Sequence, residues 1–240
     1  MGFFKFLFLS VLLVGFHVGV GATTYLVAVG VGDYPGTERD LRLPANDAAT
    51  MQYVYSKNSN AVSVLLTNSN ATKANVISRL RSTFSKAKEG DVIIFFFSGH
   101  GSPGAFSLYD ARVSYAEIRK VMAQSKARNK LVFADACFSG KMRQGRAGKA
   151  AQAFSKYNIV LFLSSRSNET SIERPTMKNG FFTACLYRGL RGGADANRDR
   201  AITAKELFDY VSRGVKRLSG DRQHPVMWGR FSDGMVIMKW

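Results

Sequence analysis

Apolar residues in this chain fall into short unbroken runs, separated by stretches in which they recur at helical spacing. Five runs read as strands, over 24–31, 62–67, 91–98, 130–135 and 158–164. They are continuous rather than alternating, as expected for parallel strands covered on both faces. Between them the spacing predicts helices over 44–57, 72–88, 114–125, 179–190 and 203–217. Pro44 suits a first helical turn, where its missing N–H would have had no partner. Thr72 is placed to cap the second helix. Ser114 with Glu117, and Thr203 with Glu206, have capping-box spacing. The strand–helix alternation predicts an α/β fold, a doubly wound, mainly parallel sheet with helices on both faces. Two apolar segments near the end, 224–231 and 235–240, read as strands that add to a sheet edge or cover it.

The first residues stand apart from this pattern. Lys5 precedes a largely apolar run from Phe6 to Val20 that holds no Asp, Glu, Lys or Arg, and Val20-Gly21-Ala22 offers the small residues of a cleavage site. This predicts a signal peptide over 1–22, export to the periplasm or outside the cell, and a single domain over 23–240. No stable membrane span is expected after its removal. The formal net charge is +17, and loss of Lys5 lowers it by one. The excess is spread along the chain with no nucleic-acid motif beside it, so a solvated basic surface is expected rather than a specific nucleic-acid site. Of the two cysteines, Cys185 sits in an apolar helical stretch and reads as packing.

Cys137 has a different setting. The 91–98 strand runs into Ser98-Gly99-His100-Gly101, and the 130–135 strand into Asp135-Ala136-Cys137-Phe138-Ser139-Gly140. In a doubly wound sheet both endings fall on the carboxyl rim, where such sheets carry their sites. A cysteine thiolate is a nucleophile, and a neighbouring histidine sets its charge and serves as acid and base. The backbone amides of Gly101 and Cys137 are candidates for an oxyanion site. No third orienting group is evident along the chain.

These two motifs resemble the His and Cys motifs of the caspase-like cysteine peptidases, most closely those of metacaspases and paracaspases. Legumains and gingipains share the His-Gly and Ala-Cys elements, but the remaining motifs fit them less well. Asp135 stands where animal caspases carry Gln, and His100 lies nearer its cysteine than the roughly 50 residues usual in them. The resemblance implies a caspase-like fold with a large-subunit-like part (23–140), a basic linker (141–149) and a small-subunit-like part (150–240). It also implies a His100/Cys137 dyad and an acidic specificity pocket. Asp47, Asp135 and Glu173 match the pocket positions. Carboxylates there would hold Arg or Lys by charge-assisted hydrogen bonds, so peptides or proteins cut after Arg or Lys are the implied substrates. Asp47 alone also reads as a first-turn helix carboxylate favoured by the dipole. The linker, with Lys141, Arg143, Arg146 and Lys149, resembles the segment cut between subunits in this family, which implies self-processing.

The segment 195–206 has EF-hand spacing, with oxygen donors at Asp195, Asn197, Asp199 and Glu206 as calcium ligands, but Arg200 stands where the loop needs glycine. The alternative is a degenerate loop whose side chains cap turns. The stretches after His100 and Cys137 lack the clustered aspartates of calcium-dependent metacaspases, so no required cofactor is expected. A competing reading of the whole chain is a non-catalytic caspase-like module that holds acidic partners on its basic surface. The peptidase reading is favoured because dyad and acidic pocket occur together.

Overall fold

The computed structural model describes residues 21–58, 60–102, 104–136, 154–165, 176–229, 232 and 234–239. In chain order the elements are β1 (Thr24–Gly30), α1 (Pro44–Ser56), β2 (Ala61–Thr67), α2 (Lys73–Phe84), β3 (Val92–Gly99), β4 (Gly101–Ser102), β5 (Ala105–Ser107), β6 (Arg112–Ser114), α3 (Tyr115–Gln124), β7 (Asn129–Ala136), β8 (Ile159–Leu163), α4 (Phe181–Arg188), β9 (Ala201–Thr203), α5 (Ala204–Ser219), β10 (Val226–Trp228) and β11 (Val236–Lys239). The central sheet has the order β10-β8-β7-β3-β1-β2. Its pairs are parallel except at β10, which lies antiparallel to β8. The doubly wound, mainly parallel sheet expected from the apolar runs is the fold observed.

Continuous apolar strands give this sheet two cores. Val27, Val29, Ile93, Phe95 and Phe97 face α2 and α3. Leu26, Ala28, Ile94 and Phe96 face α1, α4 and α5. All nine are fully buried, and each large side chain removed from water contributes about 1.5–3 kcal/mol. A small antiparallel sheet, β4-β5-β6, folds over the first core. Phe106 pins it there, with its ring 4.4 Å from Phe97 and 4.8 Å from Tyr115. That sheet had no legible sequence pattern, because its strands are two or three residues long.

Other differences from expectation have local causes. Helix α2 ends at Phe84 rather than 88, since the Asp91 carboxylate draws in the N–H of Lys88 (2.7 Å) and that of Thr23 (2.8 Å), turning the chain toward β3. Strand β2 is not covered on both faces. It is the sheet's edge, and Val62 and Leu65 are exposed. The 224–231 segment does add to a sheet edge, through β10, whereas β11 pairs with β9 outside the central sheet.

Both capping boxes form. Glu117 N–H donates to the Ser114 hydroxyl, and Glu206 N–H donates to that of Thr203. Replacing Thr203 by Ala should therefore cost about 1 kcal/mol, read as a lower urea midpoint at unchanged slope.

Candidate functional site

Strand β1 leads to β2 on one side while β3 lies on its other side, so the strand order reverses between β1 and β3. In such sheets the crevice opens at that point, beyond the carboxyl ends. The register aligns the ends. Gly30 pairs with Ser98, Ser98 with Asp135, and Gly99 with Ala136. His100 therefore leaves β3 at the crevice, beside the end of β7. Gly99 makes this exit possible. Its φ is +149°, and a Cβ there would lie 2.9 Å from the Tyr34 hydroxyl oxygen and 3.0 Å from the Val31 carbonyl oxygen.

His100 is partly buried and held at several points. Its backbone N–H donates to Tyr34 Oη at 3.0 Å, and the Tyr34 hydroxyl donates to the Ser107 carbonyl at 3.2 Å. The two rings are 5.1 Å apart at 39°. Burial pushes the Tyr34 phenol up to about 12, so it stays neutral and both donates and accepts. His100 Nε2 lies 2.7 Å from the Arg39 carbonyl oxygen. A carbonyl only accepts, so the neutral ring carries its proton on Nε2 and leaves the Nδ1 lone pair unprotonated. A backbone carbonyl has no sequence signature, which is why the orienting group was not evident along the chain.

Asp47 and Asp135 come together at the same rim, both buried. Asp47 Oδ2 accepts from the Ser98 hydroxyl (2.9 Å), and Oδ1 from Asn179 Nδ2 (2.9 Å) and Gly180 N–H (3.0 Å). Asn179 also donates to Thr50 Oγ1 (2.9 Å). Asp135 Oδ2 accepts from the N–H (3.2 Å) and hydroxyl (2.8 Å) of Thr183, in the first turn of α4. Gly180 fits this arrangement for want of space, since a Cβ there would meet Asp135 Oδ2 at 2.6 Å. Burial, and then the charge of Asp135, push the Asp47 carboxyl well above the usual carboxylate range. Asp47 thus does more than favour its own helix dipole; it ties α1 to β3 and to the segment entering α4. Ser98, Asn179, Gly180 and Thr183 were missed as partners. Asn179-Gly180 directly before an apolar helix was the available signal.

Gly101 opens β4 and is half-buried. Cys137, Glu173 and the linker 141–149 lie outside the described residues. Cys185 is buried, and burial pushes its thiol up to about 11, in keeping with a packing role.

The 195–206 loop is held by hydrogen bonds to its own backbone. Arg200 takes the left-handed conformation, at φ 64°, that glycine would supply. Asp195 accepts from the N–H groups of Asp199 and Arg200, Asn197 from that of Asp199, and Asp199 from that of Ala201. Glu206 accepts from Ala196 and Thr203 N–H. Among the described residues no three His, Cys, Asp or Glu side chains group to hold a metal ion. The oxygens of Asp195, Asn197 and Asp199 accept from N–H groups of the loop's own backbone.

The family model described as caspase domain matches residues 24–233. Among solved structures, a protein from Geobacter sulfurreducens superposes with a TM-score of 0.66 at 18% identity, over 90% of this chain and 97% of that one. Caspase-1 from Spodoptera frugiperda superposes with a TM-score of 0.64 at 13% identity, over 90% and 89%. At these identities the likeness speaks for the fold. No curated protein matches the sequence significantly.

The raised Asp47 has a measurable consequence. The folded state binds this proton more tightly than the unfolded chain, so the associated stability is full below the ordinary value of about 3.9 and is lost as pH rises through the folded value. Asp47→Asn keeps the shape and removes the charge. Its melting temperature should exceed that of the natural protein near pH 7 and approach it near pH 4, as scanning calorimetry across pH would show.

Proposed function

The chain belongs to the caspase-domain family, and from that premise we propose that it is a cysteine endopeptidase whose Cys137 nucleophile and His100 base cleave peptide bonds after Arg or Lys. The observation that carries this reading is the state of His100. Its Nε2–H is held by the Arg39 carbonyl, and the residue before it, Gly99, is in register with Ala136, the residue before Cys137. An imidazole with Nδ1 unprotonated, one position beyond a strand pair whose neighbour ends one position before a cysteine, is the arrangement a thiol–imidazole dyad requires.

In the proposed reaction His100 Nδ1 takes the Cys137 proton and the thiolate attacks the substrate carbonyl carbon. The oxyanion is met by the backbone amides of Gly101 and Cys137. The imidazolium then gives its proton to the leaving amine, and a thioester remains. Water, deprotonated by His100, attacks the thioester and returns the thiol. The Arg39 carbonyl keeps the imidazole in the useful tautomer throughout, and the imidazolium gains from it as an acceptor.

Specificity for basic residues is supported by the paired buried carboxylates. Asp47 and Asp135 sit where one cation would relieve their mutual repulsion. Glu173 is proposed as a third. An aspartate side chain would meet like charge. Nothing in this scheme needs a metal, and we take the activity to be independent of calcium. Strands β8 and β10, from the part after the linker, complete the same sheet as β1, β2, β3 and β7. A cut in 141–149 would therefore leave two pieces joined through that sheet. Export through cleavage after Ala22 is also proposed. Thr23 N lies 2.8 Å from the buried Asp91 carboxylate, so the new ammonium would form an ion pair at the foot of β1.

A panel of fluorogenic peptides differing in the residue before the bond tests the reading. Arg and Lys peptides should be cleaved and Asp peptides not. Cys137→Ala and His100→Ala should each lose at least about a thousandfold in kcat. Asp47→Asn and Asp135→Asn should each lower kcat/KM for Arg peptides by about 10- to 100-fold, the worth of one charge-assisted hydrogen bond. Turnover of Asp peptides but not of Arg or Lys peptides would sink the pocket argument. Incubated natural protein should be cut within 141–149 while Cys137→Ala stays whole, which mass spectrometry distinguishes. Calcium added to the assay should leave the rate unchanged.

A further inference from the structure

The connection from β1 to α1, residues 31–43, has no helix or strand of its own, yet it is tied in several places. Leu41 N–H donates to the Gly32 carbonyl at 2.7 Å and closes the loop at its base. Asn68 Oδ1, on a residue with φ 46°, accepts from Gly32 and Asp33 N–H at 3.0 and 3.2 Å. Across the middle, Tyr34 N–H donates to Asp40 Oδ1 at 3.0 Å. The residues on either side of that bond are the ones that meet His100. Arg39, next to Asp40, gives its carbonyl to Nε2, and its guanidinium lies 4.9 Å above the Tyr34 ring. Tyr34 gives its hydroxyl to the His100 backbone and its ring to the imidazole. One loop thus fixes the ring's Nε2, its face and its backbone anchor.

Resting on the dyad reading above, we propose that Asp40 is a positioning residue for His100: by accepting the Tyr34 N–H it sets the loop so that the Arg39 carbonyl meets Nε2, which holds the proton there and leaves Nδ1 facing the reaction. The geometry separates this role from support of the fold. Asp40 is exposed, it lies outside both hydrophobic cores, and Asn68 with the Gly32–Leu41 bond secures the loop base independently. Removing the Asp40 acceptor therefore frees the Arg39 carbonyl while the sheet stays intact. An amide oxygen in the same place would serve as well, since the role needs an acceptor and not a charge.

The experiment compares Asp40→Ala, Asp40→Asn and Tyr34→Phe with the natural protein in three measurements. The first is the His100 tautomer by long-range nitrogen–proton NMR of the neutral ring. The second is kcat and KM on an Arg peptide, and the third is the melting temperature. The natural protein should show the Nε2–H form. Asp40→Ala should lose that single form and drop kcat about tenfold, a fraction of what a positioned base supplies. KM should stay within about twofold and melting within a few degrees. Asp40→Asn should recover the Nε2–H form and most of kcat, and Tyr34→Phe should fall between. An unchanged tautomer and kcat in Asp40→Ala overturns the proposal, and so does an Asp40→Asn protein as impaired as Asp40→Ala. The tautomer measurement needs no turnover. Asp40-dependent Nε2–H without any peptidase activity would uphold the positioning role and reject the dyad's chemistry, while turnover with an Asp40-independent tautomer would do the reverse.

Discussion

Two carboxylates buried at one end of a parallel sheet are the constraint on which the rest of this rim depends. Taking a charge out of water costs several kcal/mol unless donors replace the lost solvation. The chain meets that cost by converging separate elements on Asp47 and Asp135. Asp47 rides on α1 and draws in Ser98 from β3 and Asn179-Gly180 from the entry to α4. Asp135 ends β7 and takes two donors from Thr183 in the first turn of α4, where the helix dipole also favours negative charge. The two therefore fix where α4 starts and how closely it approaches the sheet. A side chain at Gly180 would push them apart.

The same rim carries His100 under a second kind of constraint. Its strand must stay in parallel register with β7, because a slip of one residue would carry the ring away from the neighbouring strand end and swap the side chains of the two cores. Fully buried phenylalanines on alternate faces of β3 enforce that register. At the strand's last residue, Gly99 takes a backbone conformation other residues rarely adopt, and the space against Tyr34 and Val31 admits no Cβ. The apolar cores therefore place the histidine, and a polar loop orients it. These are different forces acting on one side chain.

The charge of the chain and the character of this rim point opposite ways. A net charge of +17 repels basic peptides at long range, yet screening confines that repulsion to roughly 8–10 Å at physiological salt. At the rim Asp47 and Asp135 place the opposite sign of charge. The loop at 195–206 is closed by hydrogen bonds from its own backbone to Asp195, with Arg200 in a left-handed conformation.

The sequence by itself determined the sheet and its rim. Unbroken apolar runs locate every long parallel strand to within a residue or two, both capping boxes form as spaced, and the two motifs fall at strand ends, because hydrophobic burial and capping are local properties of the residues concerned. What the sequence hid is what depends on groups distant along the chain. The Arg39 carbonyl is a backbone atom any residue supplies, the partners of Asp47 lie more than a hundred positions away at Asn179 and Gly180, and β4 to β6 are too short to show a period. Asp47 read equally well as a helix-turn carboxylate until the tertiary structure turned it toward Asp135. Strand pairing and helix docking bring those groups together, and only the tertiary structure decided which acceptor would hold the histidine and which carboxylates would meet at the rim.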